Sequence, residues 1–328
     1  MPETEADHPP VALSDVARQL RDLGGGARVF VVAGLHRQVE AKQSAVRITA
    51  SGPQRVQLVR NGRASSKKQG AAVSAGEYFL PKRTARDRRS TMALGDDIRS
   101  DLNKMVGNPW SIRNGYVVPG TDDVGLYNND AVKLNAVYLY ADLLGSTKLA
   151  RNFTPQTAGK VIRASLRTAS TIIKKHNGEI RSYDGDRVMG IFIGTQKEDN
   201  AVKAAMKIKY AMEEMVKPAL YRNLPTLEPG GFVPRMCVGI ASGEAFIARA
   251  GVRGSSDLVS IGRAPNVAAK LSDIREQPAY RTYITEQVYD DLGYDTTYSD
   301  SVNMWERCKA DVGGERMTIY RSNYRWSV

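Results

Sequence analysis

The chain has 328 residues, 42% of them hydrophobic, with 47 Lys+Arg against 35 Asp+Glu and a net charge of +12. That length suits one large or two smaller domains, no run approaches the roughly 20 apolar residues of a membrane span, and the acidic, polar start over residues 1–10 is not a secretory signal. Two distant cysteines, Cys237 and Cys308, in apolar strand-like surroundings, and three scattered histidines exclude a disulfide framework and a His/Cys zinc site, leaving oxygen ligands for any metal.

The charge is unevenly spread. Residues 1–91 hold 16 basic and 8 acidic side chains, a net +8, and the rest of the chain a net +4. Such a segment could touch nucleic acid, but it has few aromatics for stacking bases; it reads as a solvated, poorly ordered extension, and nucleic acid is not an expected partner. Within it, residues 11–23 form a short amphipathic pattern stopped by Gly24-Gly25-Gly26, and residues 29–35 and 45–58 contain short alternating stretches. Met92, followed by a helical pattern over 96–105, resembles a second natural start, so 1–91 is also readable as a mis-called extension. Residues 108–133 are turn-rich and read, with 92–107, as a helix and irregular arm over 92–134 leading into a domain at 135–328.

From residue 135 the pattern is regular. A strand is expected over 136–142, helices over 146–151 and 154–177, and two short strands over 179–183 and 188–193 joined by Asp184-Gly185-Asp186-Arg187, a hairpin-turn sequence. A second amphipathic helix over 198–217 should end at Pro218. Residues 233–241 and 245–250 read as a hairpin turning at Ser242-Gly243-Glu244, followed by a strand at 258–261, a helix at 264–272, a strand at 282–285, a short helix at 286–292 and strands at 302–308 and 316–321. This order centres on β-α-β-β-α-β, an α+β fold of ferredoxin-like type with helices on one face of a mostly antiparallel sheet.

Two positions carry the chemistry. Alternation puts Tyr138, Tyr140 and Asp142 on one strand face, and a lone acid ending an apolar strand needs a reason, because burying an uncompensated carboxylate is costly. It could cap the following helix. It could also, with Asp186 in the turn between the strands at 179–183 and 188–193, hold hard divalent cations over a triphosphate. Gly145, Ser146 and Thr147 could then offer backbone N–H groups to phosphate oxygens.

Three ordered motifs, Tyr140-Ala-Asp-Leu-Leu-Gly-Ser-Thr147, Tyr183-Asp-Gly-Asp-Arg-Val-Met189 and Ile261-Gly-Arg-Ala-Pro-Asn-Val-Ala-Ala-Lys-Leu271, resemble the catalytic domain of class III nucleotidyl cyclases over about residues 130–322. The resemblance implies that Asp142, Asp186 and the backbone carbonyl of Leu143 hold two Mg²⁺ or Mn²⁺ ions. It implies that Asn266 orients the ribose, that Lys270 replaces a transition-state arginine, and that head-to-tail homodimers build the sites. Where purine cyclases carry base-reading groups this chain has Ser182 and Val259. Tyr140 and Tyr183 add bulk suited to a pyrimidine, and Arg187 could join Lys270 at the developing charge. Lys309 and Arg316 read as surface charges rather than triphosphate ligands. The second motif resembles that of the bacterial Pycsar cyclases, which implies a cytoplasmic enzyme making cyclic UMP, with cyclic CMP second, as an antiphage signal read by a separate effector. A purine cyclase with an atypical pocket and a non-catalytic sensor domain are the alternatives.

Overall fold

The computed structural model describes residues 46–50, 56–60, 85–276 and 280–328, with the backbone alone at 46–50, 56–60 and 85–92. The expected helix at 11–23 and the stretch at 29–35 lie outside the described residues. The chain divides into two compact units, Met1–Ala85 and Arg86–Val328. In the first, β1 (Val46–Ala50) and β2 (Val56–Arg60) form an antiparallel hairpin.

The second unit opens within α1 (Ala85–Gly107), a helix longer than the pattern over 96–105 suggested. The turn-rich stretch after it is less irregular than its sequence. There β3 (Ser111–Asn114) pairs in parallel with the first residues of β4 (Asp130–Leu143), so the central strand begins six residues before the expected start. Its alternation continues back through Leu134, Val132 and Asp130.

After β4 come α2 (Ser146–Asn152), α3 (Pro155–Lys175), β5 (Glu179–Asp184), β6 (Arg187–Phe192) and α4 (Lys197–Ala211). In α3 the Thr154 hydroxyl accepts from the Thr157 N–H at 3.3 Å, Pro155 occupies the first turn, and Val161, Ala169, Ile172 and Ile173 bury one face. Past α4 the chain does not stop at Pro218. A π-turn (Met212–Val216) leads directly into α5 (Lys217–Asn223), and Pro218 falls in the first turn of that helix, where its missing N–H costs little.

A larger difference follows. β7 (Met236–Val252) is one continuous strand of 17 residues, not a hairpin at Ser242-Gly243-Glu244. Pairing with β4 runs unbroken from Leu143↔Met236 to Ala131↔Ala248, and Gly243, at φ 155°, sits in register opposite Ala136. The turn comes later, at Gly254 (φ 80°), before β8 (Ser255–Ile261) returns along β7. Next are α6 (Arg263–Ser272), β9 (Thr282–Thr285), α7 (Glu286–Asp290), α8 (Tyr294–Thr297) and a two-residue bridge pair β10 (Tyr298–Ser299) and β11 (Val302–Asn303). The closing hairpin is β12 (Glu306–Val312) with β13 (Glu315–Ser322).

The main sheet runs β12-β13-β9-β7-β4-β6-β5, with β3 beside β4 and β8 beside β7. Taking β4-α3-β5-β6-α4-β7 as the unit, its strands lie in the order fourth, first, third, second, which is the ferredoxin-like arrangement. Helices cover both faces, not one. Val137, Leu139, Ala141 and Leu143 of β4 pack with α3 and α4, while Ala136 and Tyr138 pack with α6. The second packing is close because β7 offers small residues there. A Cβ on Gly239 would lie 2.2 Å from the Ala268 carbonyl oxygen and 2.4 Å from the Ser272 nitrogen. Cys237, also on that face, is buried against the end of α6, and both cysteines are free thiols.

Candidate active site

Asp142 is the penultimate residue of β4, 9% exposed, opposite Arg187 of β6 and Cys237 of β7. It does not cap the next helix. Gly145 does, in a left-handed conformation (φ 78°) and with no side-chain hydrogen bond, so Asp142 is left for another task. Ser146 and Thr147 follow in the first turn of α2, beside the acidic end of β4.

The β5–β6 connection is the expected two-residue turn. Asp184 pairs with Arg187, and Gly185 takes φ 59° at the first central position. Asp186 is the other central residue. The Leu143 N–H donates to the Asp186 carbonyl at 3.4 Å, which ties this turn to the end of β4. Burial first, and then the charge of Asp186, push the Asp142 carboxyl up to about 6, against the opposing pull of Arg275 and Arg187. Asp186 Oδ2 is buried with no hydrogen-bond partner. Two neighbouring acids, one with an orphaned buried oxygen, fit a divalent cation. Among the described residues no group of three or more His, Cys, Asp and Glu forms a metal cage. The pair therefore suits ions that take their remaining ligands from phosphate and water, as Mg²⁺ does.

On the face of Asp142, cross-strand pairing builds a row of Tyr140 on β4, Met189 on β6 and Ser182 on β5. The Arg187 guanidinium lies 5.5 Å from the Tyr140 ring centroid, donates to Asp184 at 3.1 Å and reaches Asp273 at 3.4 Å. Burial raises the Tyr140 phenol above its ordinary range.

No protein-family model matches the chain. Over 235 residues it is 39% identical to the uridylate cyclase of Rhodovulum sp. (strain MB263), a match covering 71% of this chain and 97% of that one. Over 238 residues it is 37% identical to the uridylate cyclase of Burkholderia cepacia, covering 72% and 100%. The chain belongs to the class III nucleotidyl cyclases, in the uridylate cyclase group. The fold agrees: a bacterial light-regulated adenylyl cyclase superposes with a TM-score of 0.51 at 16% identity, over 74% of this chain and 64% of that one.

Not every expected residue of the cyclase meets at this site. Tyr183 points the other way. It pairs with Val188, which packs under α3, and its hydroxyl lies 3.0 Å from that of Ser170 on α3. Since Ser182 lies in the Tyr140 row, the next residue must face the opposite side of the sheet. A side chain 57% exposed on that side is no wall of a pocket beside Tyr140. Val259, 40% exposed, lies on β8 opposite Ala248, nine residues along β7 from Gly239, the partner of Tyr140.

Asn266 and Lys270 share one face of α6, but it is the exposed face. Ala264, Val267, Ala268 and Leu271 face the sheet instead. The Lys270 stem runs past Gly313 in the β12–β13 turn. Within one chain, then, neither is turned toward the acids. Lys309 and Arg316 are exposed on the closing hairpin.

Arg275 was not singled out by the sequence. Its Nη2 donates to Asp142 Oδ2 at 2.6 Å. The signal available was a basic residue just beyond the third motif, which is too common to select.

Proposed function

We propose that this cyclase converts UTP to 3′,5′-cyclic UMP and diphosphate, with CTP as the second candidate substrate. The observation that carries the pyrimidine reading is the Tyr140–Met189–Ser182 row beside the acids. It offers an aromatic ring, a thioether and a small hydroxyl, and the cation against Tyr140, Arg187, is already held by Asp184 and Asp273. The names of the relatives support the same reading.

Asp142, Asp186 and the Leu143 carbonyl would hold two Mg²⁺ or Mn²⁺ ions. Bound there, the ions would acidify the ribose 3′-hydroxyl and neutralise charge on the phosphates. The hydroxyl gives up its proton to solvent water, a bond forms from the 3′-oxygen to the α-phosphorus, and the bond from the α-phosphorus to the α,β-bridging oxygen breaks in line, that oxygen leaving with the diphosphate. Asn266 would orient the ribose, and Lys270 would stabilise the charge developing on the phosphoryl oxygens as a point charge rather than a fork. Arg187, already engaged by two carboxylates, would act at the rim of the site through Tyr140.

Because Asn266 and Lys270 lie on the outer face of α6, we assign them to the site of a partner subunit in a head-to-tail homodimer. Each site then takes its acids from one chain and its ribose and phosphate contacts from the other. Among the described residues no helix is long and apolar enough to cross a membrane. A cytoplasmic enzyme whose product is read by a separate effector as an antiphage alarm is the setting we propose.

The test is the product profile. Each of the four nucleoside triphosphates is incubated with the protein and Mn²⁺, and products are separated by chromatography. Cyclic UMP as the dominant product is expected; cyclic AMP or cyclic GMP as the sole product overturns the pyrimidine reading, and no cyclic product from any triphosphate overturns catalysis.

A further inference from the structure

Arg275 plays no part in the reaction as set out above, yet it is the group bonded to the first acid. It lies just past the end of α6, and its Nη1 donates to the carbonyls of Ser272 at 2.7 Å and Ile274 at 3.0 Å. Those bonds hold the guanidinium at the C-terminal end of the helix, where a cation is favoured. Its Nη2 meets Asp142 Oδ2 at 2.6 Å. The flanking residues are also tied down. Asp273 meets Arg187 at 3.4 Å, and Glu276 accepts from Arg321 at 2.6 Å and from the Tyr283 hydroxyl at 3.1 Å. Arg275 is thus held in front of Asp142 from both sides along the chain.

A guanidinium and a divalent cation repel each other and seek the same carboxylate oxygen. Arg187 also acts on Asp142 but is paired with Asp184 and Asp273, so it is Arg275 that offsets one of the two negative charges that would attract a cation. We propose that Arg275 is a positioning residue that competes with divalent cations for Asp142. It keeps the carboxylate aimed and weakly available, so that cations settle firmly only with a nucleotide that brings its own phosphate charge. Cation capture is thereby made dependent on substrate. The proposal rests on the reading that Asp142 and Asp186 hold the cations.

The test uses the full chain, stripped with EDTA, titrated with Mn²⁺ alone and no nucleotide, with free Mn²⁺ followed by electron paramagnetic resonance. Arg275→Gln should bind Mn²⁺ about tenfold more tightly than the wild type, the scale of one lost charged hydrogen bond. Arg275→Lys, which keeps the charge, should stay within about threefold of the wild type. A thermal melt checks folding, and Arg275→Met, which keeps the stem packed, stands in if the glutamine variant unfolds. Charge-removing variants that bind Mn²⁺ no better than the wild type overturn the competition. Asp186→Asn separates the two ideas. If it binds Mn²⁺ as the wild type does, the cation reading itself fails; if it loses Mn²⁺ while Arg275→Gln is unchanged, only the competition fails.

Discussion

Replacing Gly239 with alanine should damage activity far more than stability, because this glycine is the seat of α6. It lies in a row between Tyr140 of β4 and Tyr283 of β9, with α6 directly above. A methyl group there would stand 2.2 Å from the Ala268 carbonyl oxygen, 2.4 Å from the Ser272 nitrogen and 2.7 Å from the Leu271 Cβ. Two of these three are backbone atoms, so no rotamer change relieves them; the helix must lift by about 1 Å to restore ordinary contact distances. Overpacking of this kind costs about 1–3 kcal/mol, which in a unit of this size lowers the melting temperature by about 3–10 °C. A shift of about 1 Å in catalytic groups can cost about a hundredfold in rate, and α6 carries Asn266 and Lys270, the ribose and phosphate contacts we propose. The assay pairs calorimetric melting with initial rates of cyclic nucleotide formation at saturating substrate. Gly159→Ala is the control: nothing lies within 4 Å of a Cβ there, and alanine should stabilise α3 by about 0.5–1 kcal/mol. An unchanged melting temperature and rate for Gly239→Ala would refute the close seating of the helix.

Other substitutions bear on the site. Tyr140→Ala should admit purines, and a chromatogram still free of cyclic AMP and cyclic GMP would remove Tyr140 as the wall that excludes them. Tyr183→Phe should leave substrate choice untouched and kcat/KM within about twofold, since the lost hydroxyl contact is an exposed one to Ser170 worth under about 1 kcal/mol; altered discrimination between UTP and ATP would contradict its placement on the α3 side. Asp142→Asn and Asn266→Ala should each abolish cyclisation alone, yet recover part of it when mixed, because the mixed dimer keeps one intact site. Absence of any recovery in mixtures shown to exchange subunits would count against shared sites.

The alternation of β4 was legible because burial on two faces forces a period of two, and the acid at its end broke that pattern visibly. The Asp184-Gly185 turn was legible because glycine is needed at a positive φ, which Gly185 adopts. The length of β7 was not. Ser242-Gly243-Glu244 has local turn chemistry, but thirteen consecutive pairings with β4 outweigh it, and those partners are a hundred residues away. Pro218 misled for a local reason: a π-turn over Met212–Val216 leads straight into a new helix, so the proline falls in a first turn instead of ending the helical stretch. Tyr183 is a different case. Once Ser182 is placed on the pocket face, parity alone sends Tyr183 to the other face, and proximity in sequence to a motif is no substitute for parity. Arg275 needed the fold: only the close approach of α6 over Gly239 brings its C-terminal end to Asp142.

That last contact gives α6 two ends with different duties. Its C-terminal end is bonded, through Arg275, to the acid of its own chain, while its outer face presents Asn266 and Lys270 away from that acid. A helix seated on a glycine between two tyrosines has little freedom to tilt without moving both ends together. In a head-to-tail dimer, whatever draws Arg275 off Asp142 in one site would therefore shift the ribose and phosphate contacts of the other. The two sites would be coupled through a single rigid element. The coupling would be reciprocal: whatever factor cation capture in one site imposed on substrate affinity in the other, substrate there would impose on cation affinity in the first.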